Sequence, residues 1–146
     1  NINTIEAKKQ HSMIYVTKKM EFSASHRVYN PNLSDEMNAQ IFKKCANKNG
    51  HGHNFTLEVT VVGDVNPSTG YVIDLKELKN IIQKEVIDIL DHANLNFDVE
   101  GLKNIIPTSE NLAIFIWDIL KNKIPNASLY KIKISESKTS SIEYFG

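Results

Sequence analysis

A chain of 146 residues and 16.6 kDa is the size of one ordinary domain and short for two. With 41% hydrophobic and 23% charged residues it is not a disordered polymer, and 17 cations against 17 anions exclude the broadly basic surface that nonspecific nucleic-acid or anionic-membrane binding needs. A single cysteine excludes an internal disulfide, so a reducing, cytoplasmic setting is expected.

Residues 1–12 are polar and lack the apolar stretch of a secretory signal, so they are read as a flexible tail ahead of one domain over 13–146. No run approaches the roughly 18 apolar residues of a membrane span. Met13 to Arg27 reads as a strand in which Met20, Phe22, Ala24 and His26 share a face. A long polar connection follows, with room for a short helix around Asp35–Lys44. His53 to Val62 alternates most cleanly, Phe55, Leu57, Val59 and Val61 pointing one way. Gly63–Gly70 (GDVNPSTG) is a turn by composition, followed by a short return strand. Asp74 has the form of an N-cap, with Glu77 completing a capping box. The helix behind it runs to about Leu90 with Leu78, Ile81, Ile82, Val86 and Ile89 as its apolar stripe. A second helix starts after Pro107-Thr108-Ser109, where either hydroxyl suits the cap, and buries Leu112, Ala113, Ile116, Ile119 and Leu120. Two strand-like runs, Leu129–Glu136 and Ile142–Phe145, close the sequence. The order argues for an α+β domain: an antiparallel sheet with helices on one face.

His51 and His53, two apart on a strand, project to the same side. If the two long strands are antiparallel neighbours, His26 at the end of one meets them at the start of the other. Three histidines without a fourth protein ligand form the pattern of a catalytic zinc site with an open position. An isolated His-x-His is equally well a turn, and the third histidine is what favours metal. Cys45 lies six residues before His51 among Lys43, Lys44 and Lys48, surroundings that favour a reactive thiolate over an inert buried thiol. Asp91-His92 is either a helix-end histidine or a carboxylate–imidazole proton relay. Glu136 shares a face with Tyr130, Ile132 and Ile134, where a carboxylate needs hydrogen-bond donors unless the strand ends there and it reaches water. A ligand offering two parallel N–H groups would satisfy it. Glu110 serves at least as a helix-dipole partner.

FSASHR (22–27), Cys45-x5-His-Gly-His-Asn (45–54), LDHANL (90–95), PTSEN (107–111) and YKIKISES (130–137) occur in this order. On these motifs, residues 13–146 resemble the 6-pyruvoyl-tetrahydropterin synthase family. The resemblance implies the tunnelling fold, or T-fold: a four-stranded antiparallel sheet with two helices on one face, oligomerising into a barrel, typically as a hexamer (a dimer of trimers) with sites shared between subunits. It implies His26, His51 and His53 as zinc ligands, Cys45 as general base, and Asp91 and His92 as proton-transfer partners. Glu136 becomes the carboxylate that grips the pterin, with Thr108, Ser109 and Glu110 as further pterin contacts. The implied reaction is zinc-dependent triphosphate elimination with internal redox on 7,8-dihydroneopterin triphosphate, without nicotinamide or flavin.

The rival within the family is 6-carboxy-tetrahydropterin synthase, whose members typically show Cys-x3-His, and the five-residue spacing here favours the pyruvoyl product. A third branch carries glutamate in place of Cys45. Outside these stand a non-catalytic pterin- or zinc-binding T-fold protein and a zinc hydrolase. The hydrolase would need neither Cys45 nor Glu136.

Overall fold

A computed structural model of the protein describes residues 13–146, and the expected tail over 1–12 lies outside them. Strand β1 (Ile14–His26) pairs along its whole length with β2 (His51–Gly63) in antiparallel register, so Phe22 faces Phe55, Ala24 faces His53 and His26 faces His51. The polar connection between them contains helix α1 (Asp35–Phe42), capped by the Ser34 hydroxyl, and a 3₁₀ turn (Lys43–Ala46). Buried Asn38 holds that connection together: its amide bonds the carbonyls of Asn30, Leu33 and Ser34, and its oxygen accepts from Asn30 N. No strand forms between Gly63 and Asp74, where a short return strand is expected from the sequence.

Helix α2 (Leu75–Ile82) begins at Asp74, whose Oδ1 accepts from Lys76 N, but the Glu77 half of the expected capping box is not among the hydrogen bonds of the described residues. It continues through a π turn (Gln83–Ile87) into α3 (Asp88–Leu90). The wide turn shifts the phase of the helix. Leu78, Ile82, Val86, Ile87 and Leu90 are buried, whereas Ile89, expected in the stripe, faces solvent. Helix α4 (Ser109–Leu120) is capped by the Thr108 hydroxyl and buries Leu112, Ala113, Ile116 and Leu120. Both long helices press onto the same face of the sheet, against Phe55, Leu57, Val59, Ile132 and Ile134.

The sheet corrects the expectation of four antiparallel strands. It has five, in the order β3-β1-β2-β4-β5, and is mixed. The four longer strands, including β4 (Ser128–Ser135) and β5 (Ser141–Tyr144), are antiparallel as expected. The fifth, β3 (Ala93–Asn94), runs parallel to β1 at Ala24 and Ser25. It forms because the backbone leaving α3 hooks onto the strand: His92 N donates to Ser23 O at 2.6 Å and Leu95 N to Ser25 O at 2.8 Å. Two residues of pairing have no hydrophobic periodicity for a sequence to reveal. Among the described residues no helix is long and apolar enough to cross a membrane.

Candidate active site

Full-length pairing of β1 with β2 brings His26, His51 and His53 together at one end of the sheet, on the face the helices cover. One nitrogen from each lies within 4.8 Å of the others. His26 is buried, and its Nδ1 donates to the Pro107 carbonyl at 2.7 Å, which fixes the tautomer and turns Nε2 toward His51 Nε2, 3.0 Å away. Asn111 steadies that acceptor loop by donating Nδ2 to Ile106 O. His53 Nε2 is fully buried with no hydrogen-bond partner. Opposite His53 stands Ala24, whose small side chain leaves room for the ring. Gly50, at φ +69, lets the backbone turn into His51 while passing so close to His26 O that a β-carbon would sit 2.8 Å from it.

Three imidazole nitrogens facing one point, one of them orphaned, fit a cation. Nitrogens bound tetrahedrally to zinc at about 2.0–2.1 Å lie roughly 3.3 Å apart, close to the 3.0 Å between His26 Nε2 and His51 Nε2. Burial pulls the His26 pKa below its ordinary value, and burial and then His53 do the same at His51. Both therefore keep the neutral, ligating form to lower pH. The carbonyl behind His26 is the outer-shell orientation metal-binding histidines use.

Beside the cluster, Glu136 follows directly on β4. The strand ends at Ser135, yet the carboxylate is half-buried and does not simply reach water: Ser109 Oγ donates to its Oε1. Glu136 acts electrostatically on both His26 and His51, which places it near them. It lines a cleft of about 220 Å³ with Ser109, Glu110 and Ser141. Thr108 contributes its hydroxyl to the helix cap, and Glu110 in the first turn of α4 is exposed.

Asp91 and His92 form a second unit. The Asp91 carboxylate accepts from Ser23 N at 2.9 Å through one oxygen and from His92 Nδ1 at 3.0 Å through the other, and His92 Nε2 has no partner among the described residues. The Ser23 N–H, then the His92 ring, holds the Asp91 carboxyl below the ordinary carboxylate range. His92, exposed and at φ +61, gives its backbone N–H to Ser23 O and its Nδ1 to Asp91 and not to the last carbonyls of the helix. It borders an open cleft of about 390 Å³ with Ser23, Ser25, His53 and Asn54. Cys45, exposed on the 3₁₀ turn, is tied to the end of β1 through its carbonyl, which accepts from Val28 N at 2.8 Å. Its thiol makes no hydrogen bond to the histidines, Asp91 or His92 among the described residues.

The sequence reading missed Pro107 as the His26 anchor, Ser23 as the Asp91 clamp, Asn111 as a strut of the Pro107 loop, and Asn96, which bonds both the N–H and the carbonyl of Arg27 next to His26. Pro107 O and Ser23 N act through the backbone, so their residue type carries no signal. Asn111 lies within a recognised motif, which was its only signal.

The family model described as 6-pyruvoyl tetrahydropterin synthase matches residues 15–146. The chain belongs to that family. It is 44% identical over 131 residues to human "6-pyruvoyl tetrahydrobiopterin synthase", covering 90% of each protein. It is 34% identical to "6-carboxy-5,6,7,8-tetrahydropterin synthase" of Aquifex aeolicus (strain VF5), covering 88% of this chain and 96% of that one. The solved structure of the Caenorhabditis elegans 6-pyruvoyl tetrahydropterin synthase superimposes with a TM-score of 0.86 at 40% identity, covering 92% of this chain and 96% of the other. Relatives named for either product thus match this chain over most of their length.

Proposed function

We propose that this protein is a 6-pyruvoyl tetrahydropterin synthase, which converts 7,8-dihydroneopterin triphosphate to 6-pyruvoyl-tetrahydropterin with loss of triphosphate. The observation that carries the proposal is the conjunction, in a member of this family, of a three-histidine cluster with a carboxylate beside it. Identity of 44% to a pyruvoyl-forming relative against 34% to a carboxy-forming one supports the pyruvoyl product.

His26, His51 and His53 hold zinc in this reading. When bound, the ion supplies Lewis acidity that acidifies the C–H bond beside the substrate's hydroxyls. Cys45 removes that proton as thiolate. The Asp91 carboxylate holds His92 by Nδ1, so Nε2 is presented to move protons to and from the substrate's hydroxylated arm. Glu136 accepts the amino and ring N–H groups of the pterin, and the Ser109 bond restrains the carboxylate so that its other oxygen faces the ring. Thr108 and Glu110 complete the rim of that subsite.

The working unit in this proposal is a homo-oligomer, a hexamer built as a dimer of trimers. Two observations support it. Cys45 forms no hydrogen bond to the Asp91–His92 pair of its own subunit, as expected if neighbouring copies complete each other's sites. Among the described residues the outer edge of β1 is paired only at Ala24 and Ser25, and the rest of that edge is suited to continue the sheet into a second copy. A cytoplasmic setting, lyase chemistry and a small-molecule substrate complete the proposal.

The test is to incubate purified, zinc-loaded protein with 7,8-dihydroneopterin triphosphate and identify the product by mass. The pyruvoyl product is expected. A carboxy product would replace the proposed activity with that of the Aquifex-type relative, and no consumption would leave a binding protein of the same fold.

A further inference from the structure

Arg27 is the only arginine among 17 cations, and the fold fastens it on several sides. Its backbone is clamped by Asn96, which accepts from Arg27 N at 2.7 Å and donates to Arg27 O at 2.9 Å. Its Nε donates to Ala46 O at 2.8 Å, and Cζ lies 3.9 Å above the Tyr29 ring. The guanidinium plane is therefore set, while both Nη groups have no partner among the described residues. Arg27 lines a cleft of about 200 Å³ together with Lys43 and Lys48, with Asp35 its single carboxylate. The cleft wall is stiffened by the buried Asn38.

Lys43 gives independent support. Its backbone adopts φ 51, ψ −129, in the region that favours glycine, immediately before the Cys45 turn. A side chain persists in such a conformation only where the surroundings over-determine it, and such positions cluster at ligand sites. None of Arg27, Lys43 and Lys48 forms an ion pair among the described residues, whereas Lys103, Lys121, Lys123, Lys131 and Lys133 each do. In a protein of zero net charge these cations are concentrated beside the site, because Arg27 follows His26 and Ala46 follows Cys45.

A fixed guanidinium fork flanked by two ammonium groups is the chemistry of phosphate recognition. We propose that Arg27, Lys43 and Lys48 form a polyphosphate cradle, which takes the phosphate tail of the substrate and the triphosphate it releases. The assignment of that tail to the substrate rests on the function proposed above. The cradle itself is a site for a free polyphosphate anion.

Calorimetric titration of the full, zinc-loaded protein with inorganic tripolyphosphate tests it without using turnover. Wild type is expected to bind with an affinity that falls as salt rises. R27K keeps the charge but loses the fork, and should bind about tenfold more weakly or worse. The double variant K43Q/K48Q, which touches no buried group, should weaken binding by about tenfold with an unchanged melting temperature. Binding of unphosphorylated 7,8-dihydroneopterin should stay within about twofold in both variants. The cradle is overturned if wild type fails to bind tripolyphosphate, if both variants bind it as tightly as wild type, or if they lose the unphosphorylated pterin by the same factor. Absent turnover with tripolyphosphate bound as expected would sink only the proposed reaction. Turnover without tripolyphosphate binding would sink only the cradle.

Discussion

Removing the proposed metal should expose how much of the fold's stability the histidine cluster supplies. Chelation leaves His26 Nε2 facing His51 Nε2 at 3.0 Å and His53 Nε2 buried without a partner, an arrangement that costs about 1–3 kcal/mol for the orphaned acceptor. A ligand that binds only the folded state stabilises it by about 4.1 kcal/mol when its free concentration is 1,000-fold above its dissociation constant. For a protein of this length each kcal/mol moves the melting midpoint by about 2–4 °C, so chelation should lower it by about 8–16 °C. Differential scanning calorimetry at pH 7.5, with and without a chelator and with metal content measured alongside, is the assay. His53→Ala should bind no stoichiometric zinc, and its midpoint should move by less than about 2 °C with chelator. A wild-type midpoint indifferent to chelator, in protein that carries no metal, would refute the reasoning, because the three lone pairs would then need no cation.

Cys45→Ala should lower turnover by about 10²–10⁴-fold while retaining one zinc per subunit, since the exposed thiol has no part in the histidine cluster; unchanged turnover would remove Cys45 as base. Asp91→Asn should reduce kcat by at least about 10²-fold with little change in KM. It should also change the acid limb of stability. The folded-state pKa of Asp91 is depressed, so its contribution is present above the ordinary value of 3.8 and lost as the pH falls through the folded value. Acid titration followed by circular dichroism should therefore show a flatter limb in the variant. Ser109→Ala should raise KM for the pterin by about tenfold or more with kcat less affected, because the variant removes a charge-assisted bond to Glu136; a KM within twofold of wild type would show that Glu136 needs no such restraint. Lys43→Gly should raise the melting midpoint by about 2–6 °C, the relief of φ 51 outweighing the entropy of glycine. A lower midpoint would mean that the Lys43 side chain stabilises the fold more than its backbone strains it.

Period-two alternation in β1 and β2 made the two long strands legible, and with them the face shared by His26, His51 and His53. Each strand carries its own inside and outside in its sequence. The helix cap at Asp74 was equally plain and the second was narrowed to Thr108 or Ser109, since capping is a contact between residues two or three apart; the structure uses Thr108. The π turn was not legible. It inserts one extra residue into a helix whose local sequence is ordinary, and so Ile89 was assigned to a face that Leu90 occupies. Strand β3 also escaped notice, because it is held by backbone bonds from His92 N and Leu95 N to the Ser23 and Ser25 carbonyls that any side chain would permit.

The sequence by itself determined which candidate groups are present and how they are spaced: three imidazoles, one thiol, one carboxylate–imidazole pair and a carboxylate on an apolar strand face. These follow from composition and short-range spacing, which folding leaves unaltered. Only the tertiary structure decided their relations: that Pro107, 81 residues away, fixes the His26 tautomer, that Ser109 restrains Glu136, and that Asp91 is clamped by Ser23. It also decided that Arg27 is locked between Asn96, Ala46 and Tyr29 and lines a cleft. These are contacts between segments far apart in the sequence, several of them made by backbone atoms, and neither periodicity nor motif spacing encodes which distant carbonyl or amide a side chain will meet.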